Sequence, residues 1–157
     1  NNAADLDHSQ AASSAQWKAI DATTGAYITP NGSGTTTNSI KLDWVSGKIT
    51  YSATITTQAD ASRDCAFASV TCASSVSAAA QAVLKALALL PASATASEYE
   101  DDHMWMNNGA DERAFFSGGG WGYGASAGLF ALYGDNPRSY SNRGVGFRSA
   151  YVALPTE

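Results

Sequence analysis

The sequence predicts a small, loop-rich domain that combines β-strands with a helix, and three observations support this. Alternating apolar residues over 40–44 and 49–55, with a Ser-Gly pair between them, are typical of a β-hairpin. Apolar residues recur every three or four positions over 75–90, as in an amphipathic helix. Beyond Trp105 neither period continues, and glycine and aromatic residues accumulate in what we predict is an ordered, loop-dominated face.

Composition excludes several classes of protein. The 157 residues are the length of one domain, and with 45% hydrophobic and 15% charged residues the chain is not a disordered tail. No apolar run reaches the roughly 18 residues that a membrane span requires. The net charge of −5 disfavours nonspecific nucleic-acid binding, which needs a basic surface. We therefore predict a globular domain with no membrane span and no nucleic-acid partner.

The first half carries the clearest local signals. Residues 1–14 are small and polar without a period, which predicts a frayed lead-in, and 23–38 is rich in turn-forming residues. The helix over 75–90 has Ser75 or Ser77 available as its N-cap, and the proline that follows it ends it.

The second half offers fewer signals. Only 145–152 alternates well enough to predict a further strand. The acidic cluster at 98–102 and the adjacent His103 lack the spacing of a known metal site, so we interpret them as a solvated loop and predict no metal. Cys65 and Cys72 are separated by six residues, which leaves a disulfide and two free buried thiols equally open.

The motifs of catalysis are incomplete. A G-x-S-x-G pattern spans 124–128, but no histidine follows it to complete the order Ser, acid, His, and no strand–helix frame surrounds it. The glycines over 118–122 lack the Lys-Ser/Thr pair of a phosphate-binding loop. We therefore predict a protein without catalytic residues or a cofactor.

The C-terminal region has a biased composition. Nine of the 14 glycines lie within 118–146, and nine of the aromatic residues follow Arg113. From Arg113 to Thr156 there is no Lys, Glu, Gln or Met at all. Many glycines permit backbone turns with positive φ, and the aromatic residues supply either a core or a contact surface.

Three ordered motifs in this region carry a resemblance to a known family. They are S-G-G-G-W-G-Y-G-A-S-A-G-L-F-A-L at 117–132, N-P-R-S at 136–139 and V-G-F-R-S-A at 145–150. This stretch resembles the variable proteins of diversity-generating retroelements, which include receptor-binding tropism determinants of phages and bacterial surface proteins. The helix ending in Leu-Pro and the Met104–Trp105 pair resemble the segment that precedes the family's variable region.

The resemblance implies a C-type-lectin-like α+β fold, loop-rich, with small antiparallel sheets and about two helices. The whole of 1–157 would then be one domain, with the variable ligand-binding region at 113–148. The same fold hosts formylglycine-generating enzymes, whose paired active-site cysteines the C-terminal half lacks. It also hosts calcium-dependent sugar-binding lectins, whose Glu-Pro-Asn or Gln-Pro-Asp motifs are absent as well.

In this family a reverse transcriptase mutates the adenines of a template, above all in asparagine codons of the form AAY. Such codons can become Tyr, Ser, Gly, Asp, Arg or Phe, but never Lys, Glu, Gln or Met. The resemblance implies ten variable, ligand-binding residues: Phe115, Phe116, Ser117, Gly122, Tyr123, Tyr133, Asp135, Tyr140, Arg143 and Gly144. The interleaved residues would be scaffold: Trp121, Ala127, Gly128, Phe130, Leu132, Arg138, Phe147 and Arg148.

Physical reasoning favours the same division. Tyrosine is rigid and amphipathic, and binding surfaces are enriched in Tyr, Ser and Gly. We predict that Tyr123, Tyr133 and Tyr140 are exposed and that Phe130 and Phe147 are core residues. For Phe115 and Phe116 the sequence leaves both interpretations open.

The expected function is therefore non-enzymatic binding of a protein or surface glycan on a host or neighbouring cell. The carrier would be a phage virion, at its tail, or a bacterial cell surface. The alternatives are a formylglycine-generating-type enzyme and a structural virion or tail component. A homo-oligomer remains open.

Overall fold

The structure is a computed structural model that describes residues 18–30, 36–93, 96–109, 113–137 and 139–142. The predicted lead-in at 1–14 and the predicted strand at 145–152 lie outside these residues. The described chain is α+β, with three small sheets, one α-helix and long connecting loops. The first sheet pairs two short antiparallel strands, β1 (Ala19–Ile20) and β2 (Tyr27–Ile28).

The predicted hairpin is confirmed. Strands β3 (Lys41–Val45) and β4 (Lys48–Ser52) pair antiparallel, and the second strand ends before the limit of 55 that the pattern indicated. Ser46 and Gly47 both have positive φ, at 51° and 76°, as a two-residue turn between twisted strands requires. A short strand, β6 (Thr71–Cys72), extends this sheet by pairing parallel to β4.

The predicted helix is also confirmed, with shorter bounds. Helix α1 (Ala78–Ala86) begins after Ser77, whose side chain accepts a hydrogen bond from the Ala80 N–H at 3.2 Å. It ends before the proline because Ala88 takes a left-handed conformation, with φ 54°. The Leu89 N–H then reaches back to the Leu84 carbonyl at 2.9 Å, which closes the helix end.

The third sheet has four strands in the order β5-β7-β9-β8. They are β5 (Arg63–Ala66), β7 (His103–Met106), β8 (Ala114–Ser117) and β9 (Leu132–Asn136). Strands β7 and β9 are parallel and the other two pairs are antiparallel. The interpretation of the region beyond Trp105 as loop is therefore wrong for β8 and β9, whose pairing is non-local and leaves no alternation in the sequence.

The core lies between α1, the β3–β4 hairpin and the inner side of the four-stranded sheet. Met104 and Met106 are fully buried on that inner side. Phe130 packs against Phe67 and Tyr99, with ring centroids 5.9 Å and 5.0 Å away, as predicted for a core residue. About two helices were expected; the described residues contain one α-helix and three short 3-10 helices, at Phe67–Ser69, Ala96–Glu98 and Trp121–Ser126. Within the same residues, none of the helices is long and apolar enough to cross a membrane.

Candidate ligand-binding face

The outer side of the four-stranded sheet is lined with aromatic residues. Because side chains alternate along a strand, the inward Met104 and Met106 leave His103 and Trp105 pointing outwards. In register, Trp105 lies beside Tyr133 of β9, and Tyr133 lies beside Phe116 of β8. These three residues therefore form one row across the sheet.

Ring contacts join this row to two loops. The rings of Trp105 and Tyr133 are stacked, with centroids 4.3 Å apart and planes 8° apart. Tyr123, from the 3-10 helix, contacts both rings at 5.3 Å and 5.4 Å, and Tyr140 lies 6.1 Å from Phe116. We call these five residues the aromatic face: Trp105, Phe116, Tyr123, Tyr133 and Tyr140.

Carboxylates border the aromatic face on two sides. Asp64 of β5 is the register partner of Trp105, and its Oδ2 lies 2.8 Å from Nδ1 of His103. Asp135 follows Tyr133 by two residues, and its Oδ2 accepts a hydrogen bond from the Ser62 hydroxyl at 2.8 Å. The face therefore combines aromatic rings with oriented negative charge.

Glycines allow the loop that carries Tyr123 to close on itself. Gly119 has φ +65°, and a Cβ at this position would lie 2.4 Å from the Cβ of Ala127. No other residue fits so close to Ala127 without moving it. The Tyr123 N–H donates to the Gly120 carbonyl at 3.0 Å, which holds the tyrosine at the start of the turn.

Asp102 fastens the end of the same loop. Its side chain is buried, and its Oδ2 accepts a hydrogen bond from the Phe130 N–H at 2.8 Å. A Cβ on Gly128 would lie 2.2 Å from Oδ1 of Asp102, so only glycine fits at this contact. One member of the predicted solvated cluster at 98–102 is thus a buried structural residue. In the part of the chain that the structure describes, no group of three or more His, Cys, Asp or Glu residues could hold a metal ion.

The structure brings together half of the predicted variable residues. Phe116, Tyr123, Tyr133, Asp135 and Tyr140 all lie on or beside the aromatic face. The two most exposed of its tyrosines are Tyr123 at 56% and Tyr140 at 38%, as predicted for exposed residues, whereas Tyr133 is half-buried by the stack.

The other predicted residues are placed differently. Gly122 is exposed beside Tyr123, and Ser117 is exposed at the end of β8. Phe115 lies on the opposite side of the sheet and packs against the core, where its ring contacts Gly134. Arg143 and Gly144 lie outside the described residues, as do the predicted scaffold residues Arg138, Phe147 and Arg148.

Sequence reasoning missed the part of the face that precedes the variable region. Trp105, His103 and Asp64 come from β7 and β5, which were not predicted as strands. The alternation over 103–106 between polar or aromatic residues and methionines was the available signal. It is only four residues long, which is too short to be distinguished from chance.

Burial and neighbouring groups change the pKa of the Tyr133 hydroxyl. Burial is the main reason why its pKa is raised, while the Gly120 backbone lowers it and the nearby Tyr123 and Asp135 raise it further. The hydroxyl oxygen of Tyr133 is itself buried.

The remaining candidate groups lie away from the face. Cys65 and Cys72 are both free thiols, which decides between the two alternatives that the sequence left open. Cys65 pairs in register with Met104 on the inner side of the sheet, and burial raises the pKa of Cys72 to about 11. Ser126 ends a 3-10 helix and does not stand on a strand-to-helix turn.

The fold and the face define an α+β domain with an aromatic, acid-bordered surface on one sheet. No family model matches the chain, and no curated protein matches its sequence.

Proposed function

We propose that this protein is a non-enzymatic ligand-binding protein diversified by a retroelement. In this proposal it displays variable residues on a C-type-lectin scaffold, at a phage tail or on a bacterial surface. Its ligand is a protein or a surface glycan of a host or neighbouring cell. The residues that differ between copies would be the predicted variable ones, of which Phe116, Tyr123, Tyr133 and Tyr140 belong to the aromatic face.

One observation carries the proposal. Ten residues were selected from the sequence because the resemblance implies variable positions that mutated asparagine codons can fill, and five of these ten carry the observation. They are 24 positions apart at most, and they come from two strands and two loops. The fold nevertheless gathers Phe116, Tyr123, Tyr133, Asp135 and Tyr140 on one side of one sheet.

The residues predicted as scaffold support the same division. Leu132 is buried, and Phe130 packs against the core. Ala127 is held against Gly119, and Gly128 is held against Asp102. Predicted variable residues thus lie mostly outwards and predicted constant ones inwards, which is the arrangement that lets a surface change without loss of the fold.

The chemistry of the face suits recognition. Tyrosine has few rotatable bonds, so it loses little conformational entropy when a ligand fixes it. Aromatic residues also dominate the residues that carry most binding energy in interfaces. A surface with three tyrosines and a tryptophan is therefore well suited to bind a partner.

The proposal is tested by binding and by genomics. An array of surface proteins and glycans identifies a ligand, and we expect Tyr123→Ala combined with Tyr133→Ala and Tyr140→Ala to abolish its binding. Tyr27→Ala is the matched control, because Tyr27 is 43% exposed on β2, outside the aromatic face. Unchanged binding by the triple variant would refute the assignment of the face.

The genomic test is independent of the ligand. We expect a near-repeat of the coding sequence for 115–146 beside a reverse transcriptase gene, with differences confined to adenines. A locus that holds neither would contradict the retroelement part of the proposal.

A further inference from the structure

We propose that the aromatic face binds a cationic group, the ammonium or guanidinium of a basic protein segment, through its rings and through the negative charge of Asp64 and Asp135 at its border. This inference rests on the proposed function and specifies its ligand class. It follows from the charges on the face, from the contacts that the nearby arginines make elsewhere and from the exposure of the rings.

The two carboxylates are held in place and remain able to accept. Asp64 is 46% exposed at its side chain, and His103 contacts one of its oxygens. Asp135 accepts from Ser62 through Oδ2 and from the Asn136 amide through Oδ1 at 2.8 Å. Each carboxylate oxygen has two lone pairs, so each residue retains capacity for a cationic donor.

Neither of the two described arginines near the sheet is seen to pair with Asp64 or Asp135. Arg63 turns to the inner side, where it donates to Asn108 and lies 5.3 Å from the Trp44 ring. Arg113 pairs with Asp60 at 3.3 Å. His103 contacts Asp64 and is the only titratable nitrogen that we find against the face among the described residues. Since the whole chain carries −5, long-range attraction also favours a cation.

The rings add a second attraction for a cation. Trp105 and Tyr133 cover one face of each other, so the Tyr123 ring is the one most available to a ligand. The electron-rich face of an aromatic ring attracts ammonium and guanidinium groups. A glycan would contact the same rings, but the negative charge of Asp64 and Asp135 at their border favours a cation.

The experiment is an NMR titration of the full ¹⁵N-labelled chain with a peptide of sequence Gly-Arg-Gly-Arg-Gly. The matched ligand control replaces both arginines by citrulline, which keeps the shape and removes the charge. A chitin trisaccharide tests the glycan alternative. We expect saturable shifts at Trp105, Tyr123 and Tyr133 with the arginine peptide, and binding that weakens as salt is raised.

One double charge variant makes the test specific. Asp64→Asn combined with Asp135→Asn is expected to lower the affinity for the arginine peptide about fivefold, the size of effect that exposed charge pairs produce. Two single controls, Glu100→Gln and Tyr27→Phe, lie outside the face and should leave the affinity unchanged. Spectra of each free variant verify that the fold is retained.

The outcomes separate this inference from the proposed function. Equal binding of the citrulline peptide, an unchanged affinity in the double charge variant, or binding of the trisaccharide alone would overturn the cationic ligand. If the tyrosine variants still abolish binding of the array ligand in any of those cases, the proposed function stands. If the tyrosine variants keep the array ligand while the arginine peptide still binds the face, the proposed function fails and the cation site remains.

Discussion

The rings of Trp105 and Tyr133 lie 4.3 Å apart and almost parallel, on neighbouring parallel strands. The first residue precedes the predicted variable region and the second belongs to it. A tryptophan outside the predicted variable region thereby supports a residue that we propose is variable. The Tyr123 ring contacts both of these rings, so its position also depends on the pair.

Removal of Trp105 should therefore disturb the face as well as the fold. We expect Trp105→Ala to lower the free energy of unfolding by about 2–4 kcal/mol, because a large, half-buried ring and its stacking partner are lost. Trp105→Phe should lower the free energy of unfolding by less than half of that amount. Urea unfolding followed by circular dichroism measures both, and equal stability of the alanine variant and the native protein would contradict the importance of the stack.

Gly128 is expected to tolerate no side chain. A Cβ there would meet the Asp102 carboxylate at 2.2 Å, and Asp102 also holds the Phe130 N–H. We expect Gly128→Ala to destabilise the protein by about 1–3 kcal/mol, through displacement of that carboxylate. Gly122→Ala is the matched control, since nothing lies within 4 Å of its added Cβ. A thermal melt in which both variants behave alike would contradict the contact.

Ala88 occupies a position that favours glycine. Its φ of 54° lies in the left-handed region, where a Cβ crowds the following carbonyl. We expect Ala88→Gly to stabilise the protein by about 0.5–1 kcal/mol, because glycine is the usual residue at this helix end. Ala82→Gly, at an exposed position inside α1, should instead destabilise it by about 1 kcal/mol. Chemical denaturation of the two variants distinguishes the opposite signs.

Asp43 should contribute a pH-dependent stability. Burial opposes ionisation of Asp43, but hydrogen bonds from Thr56, Thr57 and the Trp44 N–H outweigh it, and the pKa is lowered from 3.8. A carboxylate with a lowered folded pKa stabilises the protein above the unfolded value and loses that contribution as the pH falls through the folded value.

The matched comparison for Asp43 is Asp43→Asn. We expect the free energy of unfolding at pH 7 to be about 2 kcal/mol higher for the native protein than for this variant, because the amide cannot accept all of these hydrogen bonds. The difference should shrink when unfolding is measured below pH 3.8. A difference that stays constant with pH would show that Asp43 is not ionised in the folded protein.

The elements that the sequence predicted are those whose information is local. The Ser46–Gly47 turn and the alternation on either side of it specify the hairpin, and the Ser77 cap with the apolar period specifies α1. Even there, the left-handed Ala88 ends the helix earlier than predicted. The sequence did not indicate this end because no glycine occupies the position.

Only part of the candidate site could be predicted from the sequence. The resemblance selected Tyr123, Tyr133 and Tyr140 without any knowledge of where they lie. It also selected Phe115, whose place on the core side depends on the strand register and on the space beside Gly134.

By itself, the sequence determined the hairpin and the helix, because each is encoded in neighbouring residues, whereas the set of variable residues stays a prediction. Only the tertiary structure decided that β7 and β9 pair across more than 20 residues of chain and that β5 pairs with β7, which places Trp105 between Tyr133 and Asp64. Such pairing depends on burial of the inner face by Met104, Met106 and Leu132, a property of the assembled core that no short segment carries.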